Sequence, residues 1–213
     1  RKFGELLEVM EKKGILNSYN FFVMGDHGHL PVKQVFNPNI LLVQAGLIDL
    51  DEQGNVKNFK CYIHSAGLSA HVVLKNPADE EIRAKVEKLL KSWVEKEEYG
   101  CEQILDKQKM AEYHLTGPFE YAIEGRLGTP FGNNCTGEIF CPTDNSDYKL
   151  SVSAHGHLPE KGPQPIFFGA GPDIRSGVII ENGNLVDEAP TYAALLGIEM
   201  PWAQGKAIRE LLK

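Results

Sequence analysis

Two short segments of this 213-residue chain carry side chains suited to holding a metal ion, Gly25-Asp26-His27-Gly28-His29 and Ala154-His155-Gly156-His157. Each is an apolar stretch that runs into His-Gly-His. Asp26 beside His27 offers a hard oxygen next to a borderline nitrogen, the mixture that suits Zn²⁺ or Mn²⁺ and not Ca²⁺. Neighbouring residues on a strand face opposite ways, so both reach one ion only where the chain has turned; Gly25 and Gly28 make that turn easy. His155 is the third candidate ligand, and His29 and His157 are candidates for the substrate side or for support behind the ligands. For a single segment, a loop with a capping Asp and exposed imidazoles is an equally open reading. His64, His71 and His114 read as structural. The run Asp144-Asn-Ser-Asp147 lacks the Gly and terminal Glu of a calcium loop, Gly169-Ala-Gly-Pro-Asp173 is not followed by a helix as a dinucleotide fingerprint requires, and no Gly-x-Ser-x-Gly elbow occurs.

The surrounding pattern places both segments at strand ends. Tyr19-Asn-Phe-Phe-Val-Met24 is apolar without alternation, as in a strand covered on both faces within a parallel sheet. A strand over 149–153 precedes the second segment, and another over 165–169 follows it. In open α/β sheets, loops at the carboxyl ends of strands face a common crevice, so two such loops can converge. Helices are predicted over 3–13, from Asn37-Pro38 to Gly46, over 79–97 with Ile82, Val86, Leu89, Leu90 and Trp93 on one face, from Asp106 to Tyr113, from Asp187 to Gly197, and over 202–212. A hairpin is predicted for 47–50 and 56–59, with strands over 69–75, 101–105 and 119–124. Residues 126–147, rich in Gly, Pro, Asn and Thr, read as an irregular surface connection.

Composition narrows the classes. Apolar residues make up 42% and charged residues 24%, so the chain is that of an ordinary globular protein. The formal charge is −7 and no basic cluster is interleaved with aromatics, so nucleic-acid binding is not expected. An anionic ligand would then need a local positive site. No apolar run is long enough for a membrane helix. Cys61, Cys101, Cys135 and Cys141 form no CxxC pair. They read as thiols in a reducing compartment, which leans towards the cytoplasm, with a Cys135–Cys141 bridge across a hairpin left open. Oligomeric state is not legible.

The segment Tyr19-Asn-Phe-Phe-Val-Met-Gly-Asp26-His27-Gly28 resembles the strand and Asp-His-Gly motif of the alkaline phosphatase superfamily, and within it the nucleotide pyrophosphatase/phosphodiesterase branch. Ala154-His155-Gly156-His157-Leu-Pro-Glu160, Pro165-Ile-Phe-Phe-Gly-Ala-Gly171-Pro172 and Asp187-Glu-Ala-Pro-Thr191 through Leu196-Gly197 follow in the same order. The resemblance covers residues 1–48 and 149–212. It implies an α/β fold: the C-terminal half of a mostly parallel sheet flanked by helices, from 1–48 and 149–213, with a smaller cap-like α+β insertion and connection over 49–148.

It also implies a two-metal hydrolase of small phosphate esters or nucleotide-type substrates, which attacks phosphorus with a Thr or Ser held on one ion. By position, Asp26 and His27 would ligate that ion and His155 its neighbour, most simply two Zn²⁺ with Mn²⁺ as the alternative. In the superfamily the nucleophile and the remaining ligands lie upstream of the Asp-His motif. Here the first 25 residues contain neither Asp nor His, and Arg1 stands where an initiator Met would be. The expectation is therefore a C-terminal portion, inactive alone. The rival readings are another branch of the superfamily (phosphonoacetate hydrolase-, phosphomutase- or sulfatase-like) and a non-catalytic partner-binding domain.

Overall fold

Phe3, Leu6, Leu7 and Met10 recur at helical spacing. In the computed structural model, which describes residues 1–97, 99–143 and 152–213, they lie on helix α1 (Lys2–Lys12). Gly14, at φ +67°, follows its end in a conformation that a side chain would oppose. Strand β1 (Phe21–Met24) comes next. The chain folds as two compact units, residues 1–26 with 165–213, and residues 27–164. These units are cut at other points than the 48/49 and 148/149 boundaries expected from the sequence.

The second unit opens with short strands β2 (Leu30–Pro31) and β3 (Gln34–Phe36), then helix α2 (Pro38–Gln44). Pro38 takes the first helical position as predicted. Asn37 stands at the N-cap without a capping bond: its Nδ2 donates to the Glu138 carbonyl at 3.2 Å, and its Oδ1 is buried without a partner among the described residues. The predicted hairpin forms as β4 (Ile48–Leu50) and β5 (Val56–Phe59). Asp51 closes its turn by accepting from the backbone of Asn55 at 2.8 Å and Gln53 at 3.0 Å, and the Asn55 bond foremost lowers its pKa.

Strands β6 (Cys61–Ser65) and β7 (Ser69–Leu74), helix α3 (Glu80–Glu95), strand β8 (Cys101–Leu105), helix α4 (Lys107–Glu112) and strand β9 (Tyr121–Gly125) follow. The four strands form one sheet in the order β6-β7-β9-β8. One face, with Ile63, Val72 and Ile123, packs against Val86, Leu90 and Trp93 of α3 and Leu41 and Leu42 of α2. Asp79 and Asp106 cap α3 and α4 by accepting from Ile82 N at 3.0 Å and Lys109 N at 2.8 Å. The other face buries Leu105, Ala122, Met110 of α4 and Phe119, with Leu158 packed on them. His71 stacks on Phe119 at 4.2 Å, and burial above all lowers its pKa, which fits the structural role read for it.

Residues 126–143 are only in part the surface connection expected: residues 133–143 are exposed or half-buried, whereas 128–132 are buried. Phe131 is fully buried beside Phe36, and its backbone is paired: Phe131 N donates to Gly67 O at 2.8 Å and Gly132 N to Phe36 O at 2.7 Å. Gly and Pro marked irregular backbone here, but irregular backbone enters a core when each polar group finds a partner. Strand β10 (Phe140–Pro142) pairs with β3, and β11 (Ser153–Ala154) with β2. Of the strand predicted over 149–153, Val152 is an exposed bend and Ser153 begins β11, while residues 149–151, together with Asp144 and Asp147, lie outside the described residues. All four cysteines are free, so the Cys135–Cys141 bridge is not made, and burial pushes the Cys61 and Cys101 thiols up to about 12.

In the first unit, β12 (Phe167–Ala170) pairs with β1, and helix α5 (Glu188–Leu195) contributes Tyr192, whose ring lies 4.8 Å from Phe22. The mixed α/β class holds, but the mostly parallel sheet does not. Among the described residues every pair of named strands is antiparallel, and the sheets are small. Nor is β1 covered on both faces as its unalternating apolar run suggested: Phe21, Phe22 and Val23 are half-buried and Met24 is exposed.

The helix predicted over 202–212 is also absent. Only a 3₁₀ turn forms, at Arg209–Leu211. Backbone groups that helix would have used are captured from α5 and the residue before it: Lys206 N donates to Asp187 Oδ1 at 2.8 Å and Ile208 N to Thr191 Oγ1 at 2.9 Å. Gly205 allows that approach, since a Cβ there would meet Val186 O at 2.0 Å. The Asp-x-x-Pro-Thr motif is thus a clasp for the chain end.

Candidate functional site

Antiparallel pairing of Leu30 with Ala154 brings the two His-Gly-His segments to one end of β2 and β11. His29 and His155 stand one step beyond that pair. Their ring centroids are 5.4 Å apart, His27 lies 5.3 Å from His29, and His27 stacks on His155 at 4.1 Å with 17° between planes. His29 Nδ1 also meets Ser153 Oγ at 3.2 Å. Asp26, exposed at the end of β1, directly precedes His27 in the chain. The structure therefore gathers His27, His29 and His155 in one unit.

Glycines make this gathering possible. Gly156 has φ +88°, and a Cβ there would lie 2.0 Å from Ala66 O; one on Gly67 would lie 2.3 Å from His155 O. The two turns sit back to back, joined by Leu68 N donating to His155 O at 2.7 Å. Gly156→Ala is expected to lower stability by about 1–3 kcal/mol through left-handed strain and that clash. It should also shift the His155 ring resonances, read by NMR against urea melts. An unshifted His155 in a stable variant would show that the turn tolerates a side chain.

His157 lies deeper. Its Nδ1 is buried without a partner among the described residues, and a Cβ at Gly162 would meet its Nε2 at 2.0 Å. Burial first, then Lys161 and the imidazoles of His155, His27 and His29, lower its pKa and so favour the neutral ring. Neutral imidazole is the form that binds borderline metals.

The donors fit a divalent ion in kind, though among the described residues no three His, Cys, Asp or Glu side chains form a group able to hold one.

Sequence reasoning missed the residues that hold the second segment in place. Glu124 of β9 is almost wholly buried and accepts from Leu158 N at 3.2 Å, and Lys161 Nζ lies 3.2 Å from it. Burial raises the Glu124 pKa, while Lys161 opposes that shift. The available signal was a lone carboxylate in the apolar run Tyr121-Ala-Ile-Glu124. Its partner, far along the chain, had none.

A family model described as type I phosphodiesterase/nucleotide pyrophosphatase matches residues 1–138, which includes the middle segment where the sequence motifs are silent. Among solved structures, murine ectonucleotide pyrophosphatase/phosphodiesterase 5 is similar at TM-score 0.68 and 16% identity, with 100% of this chain and 50% of that one covered. The human counterpart matches at TM-score 0.66 and 19% identity, with the same coverage of 100% and 50%. An inactive form of the murine protein in complex with AMP matches at 0.68 and 16%, again covering 100% and 50%. At these identities the likeness is one of fold, and the chain spans about half the length of these relatives. Comparison with curated proteins returned no match.

Proposed function

Because the chain belongs to the type I phosphodiesterase/nucleotide pyrophosphatase family, we propose that it is part of a two-metal hydrolase of phosphate diesters or pyrophosphates. The observation that carries the reading is the gathering of His27, His29 and His155 by the β2–β11 register. Motif order assigns Asp26 with His27 to one ion and His155 to its neighbour, Zn²⁺ or Mn²⁺ by donor type. Bound there, divalent ions supply positive charge for the non-bridging and leaving oxygens of an in-line phosphoryl displacement, in a protein whose net charge is −7. His29, which meets Ser153, and His157, whose lowered pKa favours the neutral ring, would orient the ligands or meet the substrate. A nucleotide-type substrate is supported by the murine relative solved in complex with AMP.

Residues 1–25 carry neither Asp nor His. The nucleophile and the remaining ligands are therefore assigned outside these 213 residues, and the chain alone is proposed to be inactive. The test is a zinc titration of this protein followed by the imidazole resonances. His27 and His155 should move together, Asp26→Asn should weaken the His27 response, and no nitrophenyl phosphodiester should be hydrolysed. Histidines unmoved by zinc would sink the metal assignment, and zinc-dependent turnover abolished by Asp26→Asn would sink the assignment of the nucleophile elsewhere.

A further inference from the structure

The segment that carries His155 has little regular structure of its own. After β11 it forms only a 3₁₀ turn, Pro159–Lys161, so its course is set by what it is tied to. One tie is the bond from Leu68 N to His155 O. Two others meet one buried carboxylate, and a further one comes from Tyr113, whose hydroxyl donates to Glu160 at 2.6 Å. Glu124 is 2% exposed, and its Oε1 accepts from Leu158 N at 3.2 Å and faces Lys161 Nζ at 3.2 Å. Lys161, itself mostly buried, also reaches Glu102 at 2.7 Å and the Gly125 carbonyl. The carboxylate on the sheet thus holds the segment at two points, three and six residues beyond His155.

Removing two charges from water is costly, and an apolar pair of similar volume is often as stable or more so. Stability alone is therefore a weak reason for this pair to occupy the position. What an apolar pair cannot supply is an acceptor for Leu158 N–H and a fixed register of the segment on β9.

We propose that the Glu124–Lys161 pair is a positioning device for His155, and that by fixing the segment it sets how tightly His155 holds a divalent ion. This rests on the reading of His155 as a metal ligand. Neither Glu124 nor Lys161 touches the ion or the substrate; both act through the backbone that presents the imidazole.

The test titrates zinc into the whole chain, follows the His155 ring resonances, and compares each variant's zinc affinity with its urea midpoint. Glu124→Gln and Lys161→Met should each weaken zinc at His155 about tenfold, and either suffices if the other does not fold. The double variant Glu124→Leu/Lys161→Met should recover much of the stability without recovering the zinc affinity. Val86→Ala, on the buried face of α3 and in a different cluster from Leu158, should lower stability and leave zinc affinity within about twofold. If zinc affinity follows stability alike in all four variants, the pair is only structural and the proposal falls while the metal reading stands. If His155 of the unaltered protein does not respond to zinc, both fall together.

Discussion

Asn39→Ala should lower the unfolding free energy by about 3–5 kcal/mol, which would make it among the most damaging single substitutions in residues 27–164. Asn39 is completely buried in α2, and its amide makes a paired contact with strand β6. Nδ2 donates to Ile63 O at 2.8 Å, and Ile63 N donates to Oδ1 at 2.9 Å. Ile63 is equally buried, so water has no ready access to the groups left behind. Truncation removes both bonds at once, and each orphaned backbone group costs about 1–3 kcal/mol. Urea denaturation followed through Trp93, buried in the same cluster, measures the loss.

Asn39→Asp separates hydrogen bonding from shape. The carboxylate still accepts from Ile63 N but cannot donate to Ile63 O, and burial raises its pKa in the folded state. A folded pKa above the unfolded one makes this variant least stable at high pH and progressively more stable as pH falls through the folded value. A loss below about 1 kcal/mol in the Ala variant would mean that water replaces the amide, and the paired-bond account would fail.

What could be read from the sequence followed from how local each determinant is. Helix α3 was legible because Asp79, the apolar face and the charged face lie within one stretch of chain. The site was legible for a similar reason: a strand end followed by His-Gly-His is a local feature, and the β2–β11 register then brings His27, His29 and His155 together. The helix predicted near the C-terminus failed because Asp187 and Thr191 compete for its backbone from elsewhere in the chain. Phe131 was assigned to the surface because the Gly, Pro and Asn around it announce irregular backbone, while the partners that let it enter the core, Gly67 and Phe36, are distant in sequence. Glu124 and Asn39 share that property, since each is explained only by a partner that periodicity cannot locate.

The second large effect concerns the uneven distribution of the core. Residues 27–164 are expected to unfold as one cooperative body, while residues 1–26 and 165–213 open earlier, with amide opening free energies lower by about 3 kcal/mol, or roughly a hundredfold in protection. The larger unit holds a continuous cluster running through α2, α3 and the four-stranded sheet. In the smaller unit the buried apolar residues among those described are Ile174, Pro190, Ala193 and Leu211, and no residue of α1 is buried. A helix of about eleven residues and a two-stranded ribbon are each marginal in water unless something covers them. Phe22, Phe167 and Tyr192 pack together, but Ile166 and Phe168 remain largely exposed. Hydrogen exchange read peptide by peptide tests this, and equal protection in both units would refute it. The outcome also governs how the Asn39 loss is measured. Trp202 is 75% exposed in the smaller unit, so Trp93 in a Trp202→Phe background, or amides of β6, must serve as the probe, because a signal averaged over both units would mix two transitions.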